Sequence, residues 1–492
     1  MIFKAKLSAA LCLLLAALIL ITAAGCSGGD GGSAKVTTAA VSEAETEAET
    51  TTTGETPDIP DADFEGAGFN ILYPQWALYN HYYFAEEADG DAVNDALFER
   101  MTKIEEQLNI DVTTELTDNA GKILPAVQRT VLAGDDVYNL TLTHCATSLV
   151  SYVSERLVLN WNDIPHIDME KSWWNQYIRD SMEISGILPF NANSFILPDV
   201  NSIFFNYELL EAFSLEKPYD LVLEGRWTWD VLTEMAEQVS ADINGDGVFD
   251  ENDRYGFMFE NDWQPGSFPT AAGQFCIRTD KEGVPYFALD ETIMTGLCDK
   301  LAKLMHGGNA AFTWPYSQAT DPNAGGSPPV SFNEGRALFY YVPLSLAARF
   351  RETEADFGII PVPKYDEAQN EYYTLNWSGF MCVPASAKNH DLVGITVELL
   401  GYYNQQIFMP VFYDILLGQK VSRDEDSIAM LDIIFDHAVY DLGINLGVDF
   451  YCIIRNVVTS SKPTYASYIE SKMNVLQNHI DKYHKAHLEF NA

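Results

Sequence analysis

Short apolar runs alternate with amphipathic helical stretches over residues 69–155, and this alternation limits the fold more than any other feature of the chain. Residues 69–73, 111–116 and 138–143 read as strands. Between them, residues 92–108 carry Ala92, Ala96, Met101, Ile104 and Leu108 on one helical stripe, and residues 123–132 form a second helix ended by Gly134. A third helix is expected over 146–155. Strands joined by crossover helices at this spacing make an open α/β sheet, in which ligands meet the carboxyl ends of the strands.

The pattern resumes further on. Residues 202–207 (SIFFNY) read as a buried strand followed by a helix to 213, and 336–341 (RALFYY) as a strand leading into a helix over 344–351. Residues 357–360 make another strand, 372–383 a strand pair, and the region beyond Asp391 is mainly helical, most clearly at 393–403 and 428–437. Some 430 residues of such sequence exceed what one core supports, so two lobes are expected. No internal repeat is visible.

Residues 225–257, GRWTWDVLTEMAEQVSADINGDGVFDENDRYGF, combine a capped helix with an acidic loop. Thr228 is placed as the N-cap, and Val231, Leu232, Met235 and Ala236 share a face. Asp242, Asn244, Asp246, Asp250 and Asp253 then stand at positions 1, 3, 5, 9 and 12, with Gly247 at the sharp turn and the Val248 carbonyl at position 7. Hard oxygen donors at this spacing suit Ca2+. The ion would pin the segment between helix and strand, and Asp253, shorter than the usual closing Glu, points to modest affinity. No other cofactor is required.

This helix-plus-loop unit, ending in Tyr255-Gly256-Phe257, resembles the signature region of bacterial extracellular solute-binding proteins of family 1, the carbohydrate-binding lipoproteins served by ABC importers. GDAVND at 90–95, WWN at 173–175, YDLV at 219–222, FNEGRA at 332–337 and DFGIIP at 356–361 follow the family's order, so the resemblance covers nearly everything from Phe64 onward. It implies the two-lobed periplasmic-binding-protein type II fold, with hinge-connected lobes around a ligand cleft. Residues 62–200 and 376–425 would form one lobe, and 201–375 with 426–492 the other. The implied function is capture of a carbohydrate, in all expectation an oligosaccharide, by lobe closure and delivery to the permease subunits. The same fold binding a peptide or polyamine is the alternative.

A sugar site needs flat apolar faces for the C–H side of a pyranose and polar groups for its hydroxyls. The resemblance puts Trp76, Thr143, His144, Asp262, Trp263, Tyr341 and Trp377 where the lobes face each other, while Trp173 and Trp174 lie away from the cleft. Trp314 suits either role. A glycan hydrolase would bring two catalytic carboxylates, usually on a barrel of eight strand-helix repeats, and neither that pattern nor a nucleophile or phosphate-binding motif occurs; the chain reads as a non-enzyme.

Ahead of the body, Lys4 and Lys6 precede an apolar run at 7–21 and Ala23-Ala24-Gly25-Cys26, the form of a lipoprotein signal occupying 1–25. About 15 apolar residues are short for a membrane span of roughly 20. Cys26 would carry the lipid that holds the protein on the extracytoplasmic face of the cell membrane, and the Ser, Thr and Glu-rich stretch 26–61 would be a disordered tether. A formal charge of −42 makes nucleic acid a poor partner. Cys145, Cys276, Cys298, Cys382 and Cys452 are scattered without a CxxC, which argues against both a zinc site and a disulfide framework. A monomer is expected.

Overall fold

The protein is described by a computed structural model covering residues 54–75, 83–145, 149–259, 264–314, 328–344, 355–417, 425–446, 454–455 and 465–490. The signal segment, Cys26, most of the tether, Trp76, Asp262, Trp263, Cys452 and nearly all of the helix expected at 344–351 lie outside the described residues. Residues 54–61, read from sequence as the end of the tether, include Ile59, packed against the core, and Glu55, whose carboxylate accepts the Ser172 N–H at 3.2 Å.

The first sheet has four strands in the order Gly379–Cys382, Leu140–His144, Ala67–Pro74, Ile110–Thr117. The last three are parallel, in register from Ala67 opposite Ile110 to Pro74 opposite Thr117 and with Ile71 opposite Leu140. Helix Ala92–Leu108 makes the crossover. It starts where Asp91 accepts the Val93 and Asn94 N–H groups at 3.0 and 3.1 Å, and it ends at Asn109 in the left-handed region. Its buried side holds Ala96, Met101, Ile104 and Leu108, the stripe read from sequence apart from Ala92, and also Leu97 and Arg100.

The second sheet has five strands in the order Phe357–Ile360, Asn201–Asn206, Ala337–Pro343, Tyr255–Phe259, Ala311–Thr313. Here the pairing is mixed. Asn201–Asn206 runs antiparallel to both neighbours, whereas Tyr255–Phe259 is parallel to both of its own. Helix Trp229–Val239 is capped by Thr228, whose hydroxyl accepts the Val231 N–H at 3.4 Å, and it buries Leu232, Met235 and Ala236. Gly256 is obligatory at this contact: a Cβ there would stand 2.1 Å from the Ala236 Cα.

The chain passes from the first sheet to the second before Asn201 and returns after Ile360. These two passages meet in an antiparallel bridge between Val200 and Asn376. A parallel two-stranded ladder, Thr374–Leu375 on Ala438–Val439, steadies the return passage. Helix Tyr465–Leu488 buries Leu476, Ile480, Tyr483 and His487 along one face.

Trp173 and Trp174 are core residues, both fully enclosed, and their indole N–H groups donate to the two oxygens of Glu398 at 3.0 and 2.9 Å. Glu398 is itself buried, and that burial pushes its carboxyl up to about 7 despite the two indoles. Cys145, Cys276, Cys298 and Cys382 are buried thiols outside any disulfide, as small core hydrophobes are.

Candidate functional site

The carboxyl ends of strands Leu140–His144 and Ala337–Pro343 meet the amino ends of Gly379–Cys382 and Asn201–Asn206 at the two passages, and this follows from pairing register. His144 closes its strand opposite Gly379, so the turn that delivers residues 379–382 to the first sheet must place Asn376, Trp377 and Ser378 beside His144. The Cys145 thiol donates to the Trp377 carbonyl at 3.1 Å. On the other side, Asn201 pairs with Pro343, and the Leu344 N–H donates to the Val200 carbonyl at 2.8 Å, which brings the end of strand Ala337–Pro343 to the same place.

The passages are stitched to each other. Trp377 N–H donates to the Asp199 carbonyl at 2.7 Å, and the Asn376 side-chain oxygen accepts the N–H groups of Asp199 and Ser378, both at 3.0 Å. Beneath them, the buried Tyr440 hydroxyl donates to the Gly379 carbonyl at 3.0 Å and lies 2.9 Å from the Ser378 hydroxyl. The turn is thus held from both passages, and the half-buried Trp377 indole packs against the core.

Of the residues expected to bind ligand, Thr143, His144 and Trp377 come together at this point. Thr143 is fully buried, with the Tyr152 hydroxyl donating to it at 3.3 Å, so its side chain serves the floor. His144 is half-buried, and burial pushes its imidazole down to about 4, which keeps it neutral at pH 7. Tyr341 lies on the strand reaching the same crossing but is enclosed by Phe257, Phe259 and Phe268. Because the Ser267 hydroxyl donates to the Gln264 carbonyl at 2.7 Å, the Tyr341 hydroxyl, 2.6 Å away, is the donor to Ser267. Trp314, open to either role from sequence, is buried with its indole nitrogen 3.0 Å from the Met258 sulfur.

Sequence reasoning missed Asp199 and Tyr83. Asp199 sits half-exposed where a buried run, Phe195-Ile196-Leu197, gives way to the crossing strand. An acid at that transition was the available signal. The Tyr83 phenol is pushed up by burial and secondarily by the Asp199 charge, which places the two near one another. Tyr83 is held through its carbonyl by the fully buried guanidinium of Arg100, which also donates to Asn404 and lies 4.9 Å from the Phe195 ring centre. Among the described residues no carboxylate pairs with Arg100, and burial pulls it down to about 9.

The acidic loop of residues 242–253 has the donor types expected, each turned onto the loop's own backbone. Asp242 accepts the Gly245 and Gly247 N–H groups at 2.6 and 2.8 Å, Asn244 accepts Asp246 N–H at 2.8 Å, and Asp246 accepts Val248 N–H at 2.8 Å. Asp253 is buried and receives the amides of Ile243 and Asp250, both at 3.0 Å. Gly247, at φ +82°, supplies the sharp turn. Among the described residues no three His, Cys, Asp or Glu side chains gather as a metal-holding group. The loop thus keeps its shape by its own hydrogen bonds.

No family model matches the sequence, and no curated protein matches it significantly. Solved structures do match in fold. A sugar transporter from Rhizobium etli in an open conformation superposes with a TM-score of 0.54 at 11% identity, covering 85% of this chain and 99% of the other. An ABC transporter solute-binding protein from Agrobacterium radiobacter in complex with ribitol gives 0.51 at 13% identity, covering 85% and 100%. The galacto-N-biose/lacto-N-biose I-binding protein of the ABC transporter from Bifidobacterium longum, in complex with lacto-N-biose, gives 0.51 at 13% identity, covering 85% and 98%. Identities this low speak for architecture, and the architecture agrees with what the sequence implied: the chain has the two-lobed fold of the periplasmic-binding-protein type II class.

Proposed function

We propose that this chain is the extracytoplasmic substrate-binding component of an ABC importer, capturing a carbohydrate by closure of its two lobes and delivering it intact to permease subunits. The observation that carries this reading is the crossing, where two passages bridged to each other link the sheets and the Trp377 indole, neutral His144 and Asp199 stand beside them. An indole covers the C–H face of a pyranose, while a neutral imidazole and a carboxylate exchange hydrogen bonds with hydroxyls. A ligand that touches both lobes favours the closed form by its extra contacts.

Solved proteins of this architecture hold ribitol and lacto-N-biose, which makes small sugars and short oligosaccharides the first compounds to try. The test is a thermal-shift and calorimetry screen of the protein against mono- and oligosaccharides, with amino acids, short peptides and polyamines alongside. A glycan that raises the midpoint with concentration and is recovered unchanged supports the reading. A glycan that emerges cleaved, or a screen in which only peptides or polyamines bind, overturns it.

Anchoring is part of the same proposal. Cleavage before Cys26 with acylation of its thiol would hold the protein at the membrane surface, and no helix among the described residues is long and apolar enough to cross a membrane. Mass spectrometry of the amino-terminal peptide from membranes decides it: a diacylglyceryl mass on Cys26 is expected. Residues 242–253 would offer Ca2+ the oxygens of Asp242, Asn244, Asp246, Asp250, Asp253 and the Val248 carbonyl as a weak structural tie, the donors having to turn from their amides to gather around it.

A further inference from the structure

We propose that the first lobe carries a second small-molecule site, apart from the crossing, that takes an organic cation with a flat apolar body, such as an arylalkyl amine. A cavity of about 400 Å3 lies where helix Ala92–Leu108 faces strands Ala67–Pro74 and Ile110–Thr117. That volume is in the range of small-molecule sites. Strand Leu140–His144 lies between Ala67–Pro74 and Gly379–Cys382, so the cavity's two strands stand two and three spacings, roughly 10 and 14 Å, from the strand that follows Trp377. The cavity is lined by Phe98, Met101, Thr102 and Glu105 of the helix and by none of the residues of the two passages.

Its chemistry differs from that of the crossing as well. Three rings, Tyr73, Phe84 and Phe98, give it apolar faces, and those of Phe84 and Phe98 are only partly covered by protein. Two acids, Glu86 and Glu105, line it, and no Lys or Arg does among the described lining residues. One oxygen of Glu105 accepts the Val112 N–H at 2.9 Å, and neither acid is ion-paired among the described residues. The basic side chains on the same helix are engaged elsewhere: Arg100 holds the Tyr83 carbonyl and Asn404, and Lys103 pairs with Glu99 at 3.2 Å beside the Tyr403 ring. Rings alone would equally suit a sugar. Two unpaired carboxylates in a ring-lined recess, on a chain of formal charge −42, favour a guest that brings positive charge.

Calorimetric titration of the intact protein with tyramine at low salt tests the site. One equivalent is expected to bind, at least tenfold more weakly in Glu105→Gln, which keeps an acceptor for the Val112 amide, and not at all in Thr114→Trp, which fills the mouth of the cavity. Both variants should melt where the parent does, and added salt should weaken binding. Absence of binding to the parent, unchanged affinity in Glu105→Gln, or equally tight binding of uncharged 4-ethylphenol overturns the proposal. Glycan binding at the crossing is a separate readout that this result leaves untouched.

Discussion

Two regions of the molecule handle charge in opposite ways. In the first, Arg100 and Glu398 are buried with no opposite charge paired to them among the described residues, Arg100 held by a carbonyl and an amide oxygen and Glu398 by two indoles. In the second, the acids of the 242–253 loop, exposed or half-exposed apart from the buried Asp253, are satisfied by amides no more than ten residues away. A loop that satisfies itself sets its own shape. A buried charge satisfied from distant segments depends on the whole lobe being assembled, so its loss or titration should be felt globally.

That contrast can be broken first at Glu398. Its carboxyl, raised from 4.5 to about 7 in the folded protein, binds a proton more tightly there than in the unfolded chain. The resulting stabilisation is fully present below pH 4.5 and fades as pH rises through 7, a change of roughly 3 kcal/mol. Melting curves across this range should show the slope in the parent and its loss in Glu398→Gln, whatever the substitution costs at baseline. An identical slope in both would mean that the pair of indoles holds an ordinary carboxylate.

In the second lobe the largest local effect should come from Asp253→Ala. It orphans two amides at a buried position, for roughly 2 to 3 kcal/mol by denaturant titration. Asp246→Ala, at the exposed tip, should cost under about 1 kcal/mol. Equal losses from the two would erase the distinction between the buried end of the loop and its tip.

At the crossing, Trp377→Ala should weaken binding of a glycan found in the screen by about 2 kcal/mol while leaving the melting midpoint near that of the parent. A drop in stability with no change in affinity would make Trp377 a packing residue. Calcium should act more weakly than the loss of Trp377. With a dissociation constant on the order of 1 mM, 10 mM Ca2+ would add roughly 1.4 kcal/mol, and Asp242→Asn should abolish the gain. A midpoint indifferent to Ca2+ and chelator alike would show that the loop's own hydrogen bonds suffice.

Much of the frame was legible because it rests on local rules. Helix Ala92–Leu108 and strand Phe357–Ile360 have the bounds that periodicity assigns them, and Thr228 caps its helix as its spacing requires. Pairing direction was not legible: SIFFNY looks the same to a parallel or an antiparallel neighbour, and its antiparallel place between Phe357–Ile360 and Ala337–Pro343 is decided by chain segments over 130 residues away. The site shows the same limit. Trp377 stood out in a polar turn, but the company of Asp199 and Tyr83 depends on the crossing itself. Tyr341 read as a strand-end aromatic facing the cleft, yet three phenylalanines from two segments enclose it.

Small-angle scattering of the protein with and without a saturating glycan tests the central claim most directly. Closure around the ligand predicts a smaller radius of gyration in the complex, reversed when the glycan is removed. Superimposable curves at saturation, with binding verified by calorimetry on the same sample, would contradict capture by lobe closure.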